Sequence, residues 1–262
     1  MGVAVTYQTL RIRQQPGVQF VQLYRPDARN TINQALVREL SFVLDGLEHE
    51  KKIKVVVLEG LPDAFCTGMD FQEYMATDSD KHLQMCNIFE LFKKMLHSSK
   101  IIVSKVQGRV AAGGIGIVAA SDLVIAEDGA TFALSELLFG LLPAMVLPFL
   151  IRRVGHHKAR LLALSTQPIG ATEAHTWGLV DAYGTDTDKI LRAYLQRWRR
   201  LSASAIRRLK DYMNKLNMID AETQALAVKT ISELMADPEI KEGIRLYVEE
   251  GVAPWISTIA AP

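Results

Sequence analysis

Cysteine is nearly absent from this chain of 262 residues. Only Cys66 and Cys86 occur, which gives neither a disulfide framework nor a metal-ligand spacing. That usage leads us to expect a reducing, cytoplasmic setting. Net charge is small as well. Lys and Arg number 30 against 29 Asp and Glu, leaving +1, so nucleic acid is not expected as a general partner. Long hydrophobic runs are missing. The most apolar stretch, Val110–Ala120, is broken by glycines and runs into Asp122; it is too short to span a membrane. No basic segment followed by an apolar one opens the chain, so no signal peptide is expected. His49, His82, His97, His156, His157 and His175 show no ligand spacing, and no metal site is expected. Walker, dinucleotide-binding and serine-elbow patterns are also absent. There is no short repeat and no low-complexity tract.

What remains, 49% hydrophobic and 23% charged, suits a globular protein with one large domain or a domain plus an appendage. Val3–Arg13 and Val18–Leu23 read as strands around a turn at Gln15-Pro16-Gly17. Leu36, Leu40, Leu44 and Leu47 mark a helix. The β-branched run Ile53–Glu59 reads as a strand buried on both faces, and Leu61–Gly68 as a loop. Lys81–Leu96 has helical period, and Ile101–Val106 returns to strand. Short strands are expected at Leu123–Ala126, Thr131–Leu134 and Leu179–Ala182. Helices are expected at Val146–Val154, Lys158–Leu164 and Thr172–Trp177. From Asp186 the strand signals stop, and helices follow at Ile190–Leu201, Ala203–Leu216, Glu222–Met235 and Ile240–Glu249. Alternating strands and helices predict an α/β core with parallel pairing over residues 1–185. A helical region is predicted over residues 186–262.

The chemistry-bearing stretch is Gln107–Asp122, QGRVAAGGIGIVAASD. A strand enters it, an apolar helix leaves it, and Gly113 and Gly114 sit at the join. Glycine there allows either a tight turn or close packing, or the approach of a ligand to backbone. The first N–H groups of a helix lack internal acceptors and can face developing negative charge, as in half of an oxyanion hole. Cys66-Thr67-Gly68-Met69-Asp70 offers a second half, with a free N–H at Met69; Asp70 itself also suits a helix cap. Glu136 lies in the apolar run LSELLFG. Buried there, it would have a raised pKa and could act as acid or base near neutrality; solvent-facing, it would only start a helix after Ser135. Lys189–Lys215 carries nine basic residues against Asp211. It reads either as a solvated face or as a docking surface for an acidic partner.

Together, AFCTGMD at 64–70, Gly108 with Gly113-Gly114, and AASD at 119–122 resemble the crotonase (enoyl-CoA hydratase/isomerase) superfamily. Arg25-Pro26, Asn30, Trp177-Gly178-Leu179-Val180 and Lys241-Glu242-Gly243 extend the likeness over nearly the whole chain. The resemblance implies a spiral of ββα units and a helical C-terminal region that serves trimerisation and covers the substrate pocket. Trimers often pair into hexamers. It implies a thioester whose carbonyl oxygen sits between the N–H groups of Met69 and Gly113. Of the family's two hydratase glutamates, Glu136 matches the second, while the first falls on Gly116, which leaves room for a branched substrate. The aspartate of related dehalogenases falls on Ala144. Glu249-Glu250-Gly251 stands where many members carry basic residues for CoA.

Longer segments, GLPDAFCTGMDF, GRVAAGGIGIVAASDLV, SELLFGLLPA and HTWGLVDAY, resemble the polyketide-biosynthesis branch that acts in β-branching cassettes. That likeness implies a dehydratase acting on a 3-hydroxy-3-methylglutaryl thioester, with no cofactor beyond the phosphopantetheine of an acyl carrier protein or CoA. Its alternatives are a Δ3,Δ2-enoyl thioester isomerase and the decarboxylase of the same pathway. Glu136 would serve as the catalytic group. Asp70, Arg109, Gly116 and Ala144 are candidate substrate-binding positions. Arg109 or Lys105 would meet a distal carboxylate, and Asp70, Tyr74 or a water would relay a second proton. Arg207 and Arg208 would dock the carrier protein.

Overall fold

Alternation of strand and helix builds two sheets that the chain visits in turn. The computed structural model describes residues 6–76, 81–216 and 219–254. The hairpin β1 (Leu10–Gln15) and β2 (Val18–Leu23) opens the fold. The first strand thus begins at Leu10, and residues 3–5 of its expected span lie outside the described part. Helix α1 (Gln34–His49) follows, capped by the Asn33 side chain, which accepts from the Leu36 N–H at 2.9 Å. Three turns of a spiral come next. The first is β3 (Val55–Glu59), β4 (Ala64–Cys66) and helices α2 (Phe71–Ala76) and α3 (Lys81–His97). The second is β5 (Ile101–Val106), β6 (Arg109–Ala111) and α4 (Gly113–Ala120). The third is β7 (Leu123–Ala126), β8 (Thr131–Ala133) and α5 (Leu147–Ser165). The two helices expected across 146–164 are both present within α5, separated at Gly155, whose φ of 77° and ψ of 163° no helix interior adopts.

The first strand of each turn joins one sheet, in the order β1-β2-β3-β5-β7-β10; the second joins another, β4-β6-β8-β9. Strands β9 (Ile169–Gly170) and β10 (Ala182–Tyr183) flank α6 (Ala171–Thr176). The strand expected at 179–182 is therefore displaced toward Tyr183. The loop expected at 61–68 contains β4. Pairing from β2 through β10 in the larger sheet is parallel. Its strands bury both faces, as the unbroken VVVL run of β3 requires. Val56 and Leu58 face the main core with Phe89, Phe92 and Phe149. Val55 and Val57 face a second cluster with Leu191 and Ile206.

Those last two residues come from α7 (Thr187–Trp198) and α8 (Ala203–Leu216), which cover the outer face of the sheet. Helices α9 (Ala221–Ala236) and α10 (Pro238–Glu250) contribute Ile231 and Ile244 to the main core. Lys210 corrects the reading of 189–215 as one solvated or docking face. It is buried, 2.5 Å from Asp122 and 2.8 Å from the Lys100 carbonyl. Burial lowers its pKa and Asp122 opposes that shift. This pair pins α8 to the end of β5.

Candidate active site

Three neighbouring strands deliver the site. β4, β6 and β8 run parallel, with Ala64 opposite Arg109 and Ala111 opposite Ala133. Met69, Gly113 and Glu136 follow within a few residues of their carboxyl ends, so parallel register brings them to one edge. Ligands in α/β proteins commonly bind at that end of the strands. Met69 is held by a parallel bridge to Ile32: the Ile32 N–H donates to the Gly68 carbonyl at 2.6 Å, and the Asp70 N–H donates to the Ile32 carbonyl at 3.0 Å. In that pattern the N–H of Met69 points away from the bridge and has no partner among the described residues.

Gly113 is the first residue of α4, so its N–H lacks an intrahelical acceptor. The preceding Ala112 has φ 48° and ψ −120°, a conformation that costs a non-glycine residue about 1–3 kcal/mol. The Ala112 N–H holds the turn by donating to the Ala133 carbonyl at 3.0 Å. Close packing also accounts for the glycine pair. A Cβ at Gly114 would stand 2.4 Å from the Cys66 carbonyl oxygen, and one at Gly113 2.9 Å from Ile32 Cδ1. Close approach and free N–H groups are therefore two consequences of one arrangement. Cys66, fully buried beneath it, has a thiol pushed by burial up to about 12 and stays uncharged.

Glu136 starts a 3-10 turn, Glu136–Phe139, that Gly140 closes in the left-handed region at φ 72°. Its Oε2 is buried and has no hydrogen-bond partner among the described residues. Burial pushes its pKa up to about 7, while the backbone N–H groups of Glu136 and Ser135 draw it back in part. The turn is wedged by aromatic rings. Phe139 lies 5.5 Å from Phe71 of α2 and 5.1 Å, edge-on, from Tyr247 of α10.

These groups open on a cleft of about 720 Å³ that Met69, Gly113, Glu136, Arg109 and Ala144 all line. Tyr247, Val248 and Gly251 close it from the C-terminal side. Arg109 is exposed at its edge and has no ion-pair partner among the described residues. A smaller cleft of about 410 Å³ shares Ile32, Met69 and Met85 and carries Tyr74 on its wall.

Several expected roles are corrected. Asp70 lines the cleft, but its carboxylate is engaged by Arg25 at 2.8 Å, Thr31 at 3.2 Å and the Glu73 N–H at 3.0 Å. Burial alone would raise its pKa; the Glu73 N–H, Arg25 and Thr31 bring it below the usual value. It therefore caps α2 and braces Met69, and it carries no proton to relay. Lys105 does not reach the cleft. It is clamped between Glu59 at 3.0 Å and Asp188 at 2.5 Å. Tyr74 belongs to the neighbouring cleft. Gly116 leaves no vacant room either: a Cβ there would meet Phe92 Cε2 at 2.4 Å. That ring, from a helix far back in the chain, is the wall residue that sequence reasoning missed. No helix among the described residues is long and apolar enough to cross a membrane, and no metal-binding cluster occurs among them.

The enoyl-CoA hydratase/isomerase family profile matches residues 13–258. The chain belongs to that family. The mixed α/β spiral built here is the crotonase fold, and the protein is an enoyl-CoA hydratase-like enzyme. It is 43% identical over 254 residues to the bacillaene synthase dehydratase PksH of Bacillus subtilis, covering 96% of this chain and 98% of the other. The crystal structure of the polyketide biosynthesis enoyl-CoA hydratase homologue pksH from the same organism superposes with a TM-score of 0.89 at 42% identity, over 94% of this chain and 99% of that one. The mevalonyl-coenzyme A hydratase sidH of Aspergillus fumigatus is 27% identical, covering 92% of each chain.

Proposed function

We propose that the protein is a dehydratase of polyketide biosynthesis acting on a 3-hydroxyacyl thioester. The substrate is 3-hydroxy-3-methylglutaryl-acyl carrier protein and the product is the 3-methylglutaconyl thioester. The observation that carries this reading is the unpartnered Oε2 of Glu136 in the same cleft as two unpartnered N–H groups. Likeness to a polyketide dehydratase supports the choice of pathway.

The thioester oxygen is received by the N–H groups of Met69 and Gly113, which stabilise the negative charge of the enolate. Donors of this kind are each worth about 3 kcal/mol. Glu136, as carboxylate, takes the α-proton. The electron pair of the C–H bond passes to the enolate, then forms the double bond as the β-carbon–oxygen bond breaks. Glu136 returns its proton to the departing hydroxyl, and water leaves. A pKa of about 7 suits one group that must both take and give a proton near neutrality. A tertiary alcohol departs more easily than a secondary one, which reduces the need for a second acid.

Arg109, at the rim, is proposed to receive the distal carboxylate. The carrier protein is favoured over CoA by the end of α10. Glu249 and Glu250 are exposed beside the cleft-lining Gly251, at the negative end of the helix dipole. Arg245 pairs with both carboxylates and also with Glu242, so the helix end keeps a net negative charge that weakly disfavours a phosphate-bearing nucleotide. The protein is proposed to work in the cytoplasm as a homotrimer or hexamer, its helical region after residue 185 serving that assembly.

Mass spectrometry of a carrier protein loaded with 3-hydroxy-3-methylglutaryl-phosphopantetheine tests the reading. Loss of water, faster than from the CoA thioester, is expected. Loss of carbon dioxide as well would make the protein a second-step enzyme. No change on either thioester would overturn the reading in favour of isomerisation of a β,γ-unsaturated thioester.

A further inference from the structure

Phe92 takes no part in these proton transfers, yet it walls the cleft that contains them. Residue 116 lies one helical turn after Gly113, and residues three apart on a helix share a face. A side chain at 116 would leave α4 on the face that carries Gly113. A Cβ there falls 2.4 Å from Phe92 Cε2 and 2.5 Å from Cζ. The ring is backed by others. It is fully buried and edge-on to Phe149 at 5.5 Å, which Phe89 in turn contacts at 5.1 Å. A rotamer change would open a void in a close-packed core. Three carboxylates line the cleft. Asp27 is exposed at the rim, Asp70 is engaged, and Glu136 alone has an unpartnered buried oxygen.

We propose that Phe92 and Gly116 form a size-matched pair that determines specificity. The ring fills the volume that a second carboxylate, and the water it would hold, would otherwise occupy. The reacting end of the cleft is then apolar on that side. It accepts a carbon substituent at the β-position and has no second carboxylate on that side to hold and activate a water for addition to an unbranched enoyl thioester. The inference rests on the proposed thioester chemistry but not on which carrier or branched acyl group is natural.

The test is a set of four proteins: wild type, Gly116→Glu, Phe92→Ala and the double variant. Hydration of crotonyl-CoA is followed by loss of enoyl thioester absorbance, and Tm is measured for each. Gly116→Glu alone is expected to lower Tm and gain no hydration. The double variant is expected to recover Tm relative to Gly116→Glu and to hydrate at least tenfold faster, in kcat/KM, than wild type or Phe92→Ala. A Gly116→Glu protein with wild-type Tm and increased hydration would overturn the proposal. So would a folded double variant no faster than Phe92→Ala.

If the double variant does not fold, Phe92→Leu and Gly116→Ala form a milder cycle. Gly116→Ala should lower Tm, and Phe92→Leu should remove most of that loss; additive effects would refute a shared volume. Phe92→Leu alone should also reduce the preference for branched over linear thioesters at least tenfold. Crotonyl-CoA hydration is read whether or not the carrier-bound branched substrate loses water, so failure of the dehydratase reading is seen separately.

Discussion

At the scale of the residue, Glu136 links chemistry to stability. Replacing it with glutamine should lower kcat by about 10²–10⁴-fold, the usual worth of a positioned acid–base group, with KM little changed. The same variant should be the more stable protein at alkaline pH. The folded pKa is about 7 against an ordinary 4.5, so between those values the native state holds a proton that the unfolded chain has lost. Stability therefore falls as pH rises through that window and is level above it. Glu136→Gln removes the dependence, and its advantage should grow to at most about 3 kcal/mol. Melting curves of both proteins from pH 4 to 8 give the difference; a constant offset would disprove it. Wild-type kcat/KM should climb toward a plateau above pH 7.

The two glycines beside it should respond differently. Gly114→Ala sets a Cβ against the backbone of β4 and should lower Tm markedly. Gly113→Ala meets only the flexible tip of Ile32. It should fold with near-native Tm and, if the Gly113 N–H receives the thioester oxygen as proposed, lose turnover.

At the scale of the element, legibility followed the range of the interaction that decides each feature. The glycine-to-helix joins at 68–71 and 113–120 were readable because turn chemistry and helix starts are local, whereas the short strands β4 and β6 that enter them were not. The apolar neighbours of Glu136 left burial and a helix start after Ser135 both open; the structure shows a 3-10 turn starting there with the Glu136 Oε2 buried. Phe92 carried no signal. Its place beside Gly116 depends on how α3 packs on α4, and no residue near either in sequence records that packing. Lys210 was hidden for a similar reason. In a basic helix, which lysine turns inward is set by the phase of α8 against Asp122. Lys210→Ala removes a buried lysine stem and its bonds to Asp122 and the Lys100 carbonyl, while the exposed Asp122 keeps the Ile102 N–H; it should cost about 1–2 kcal/mol, measured by denaturant unfolding. Lys105 reads as a free cation until β3 and α7 bring Glu59 and Asp188 to it.

At the scale of the whole molecule, sidedness matters. The cleft opens at the carboxyl ends of the smaller sheet, while α8 lies on the outer face of the larger one. Arg207 and Arg208 are exposed there, with Leu209, Tyr212 and Leu216 also exposed along the same helix. If carrier docking uses these arginines, reversing both charges should weaken turnover of the carrier-bound substrate at least tenfold and leave a short pantetheine thioester unaffected. Equal losses on both substrates would refute that role. The broad α/β-then-helical order was readable from periodicity across the chain. The partition into two sheets was not, because strands of three residues such as β4 and β6 are too short to show a period.

Helix α10 has a further consequence. One of its faces buries Ile244 in the core, while Tyr247 and Val248 form part of the cleft wall. Helix α10 is therefore a structural strut that also forms part of the cleft wall. If the proposed acyl thioester seats against Tyr247, hydrogen exchange in α10 should slow on saturation. Occupancy of the cleft would then be read from the amide protection of α10, and unchanged exchange on saturation would refute that coupling.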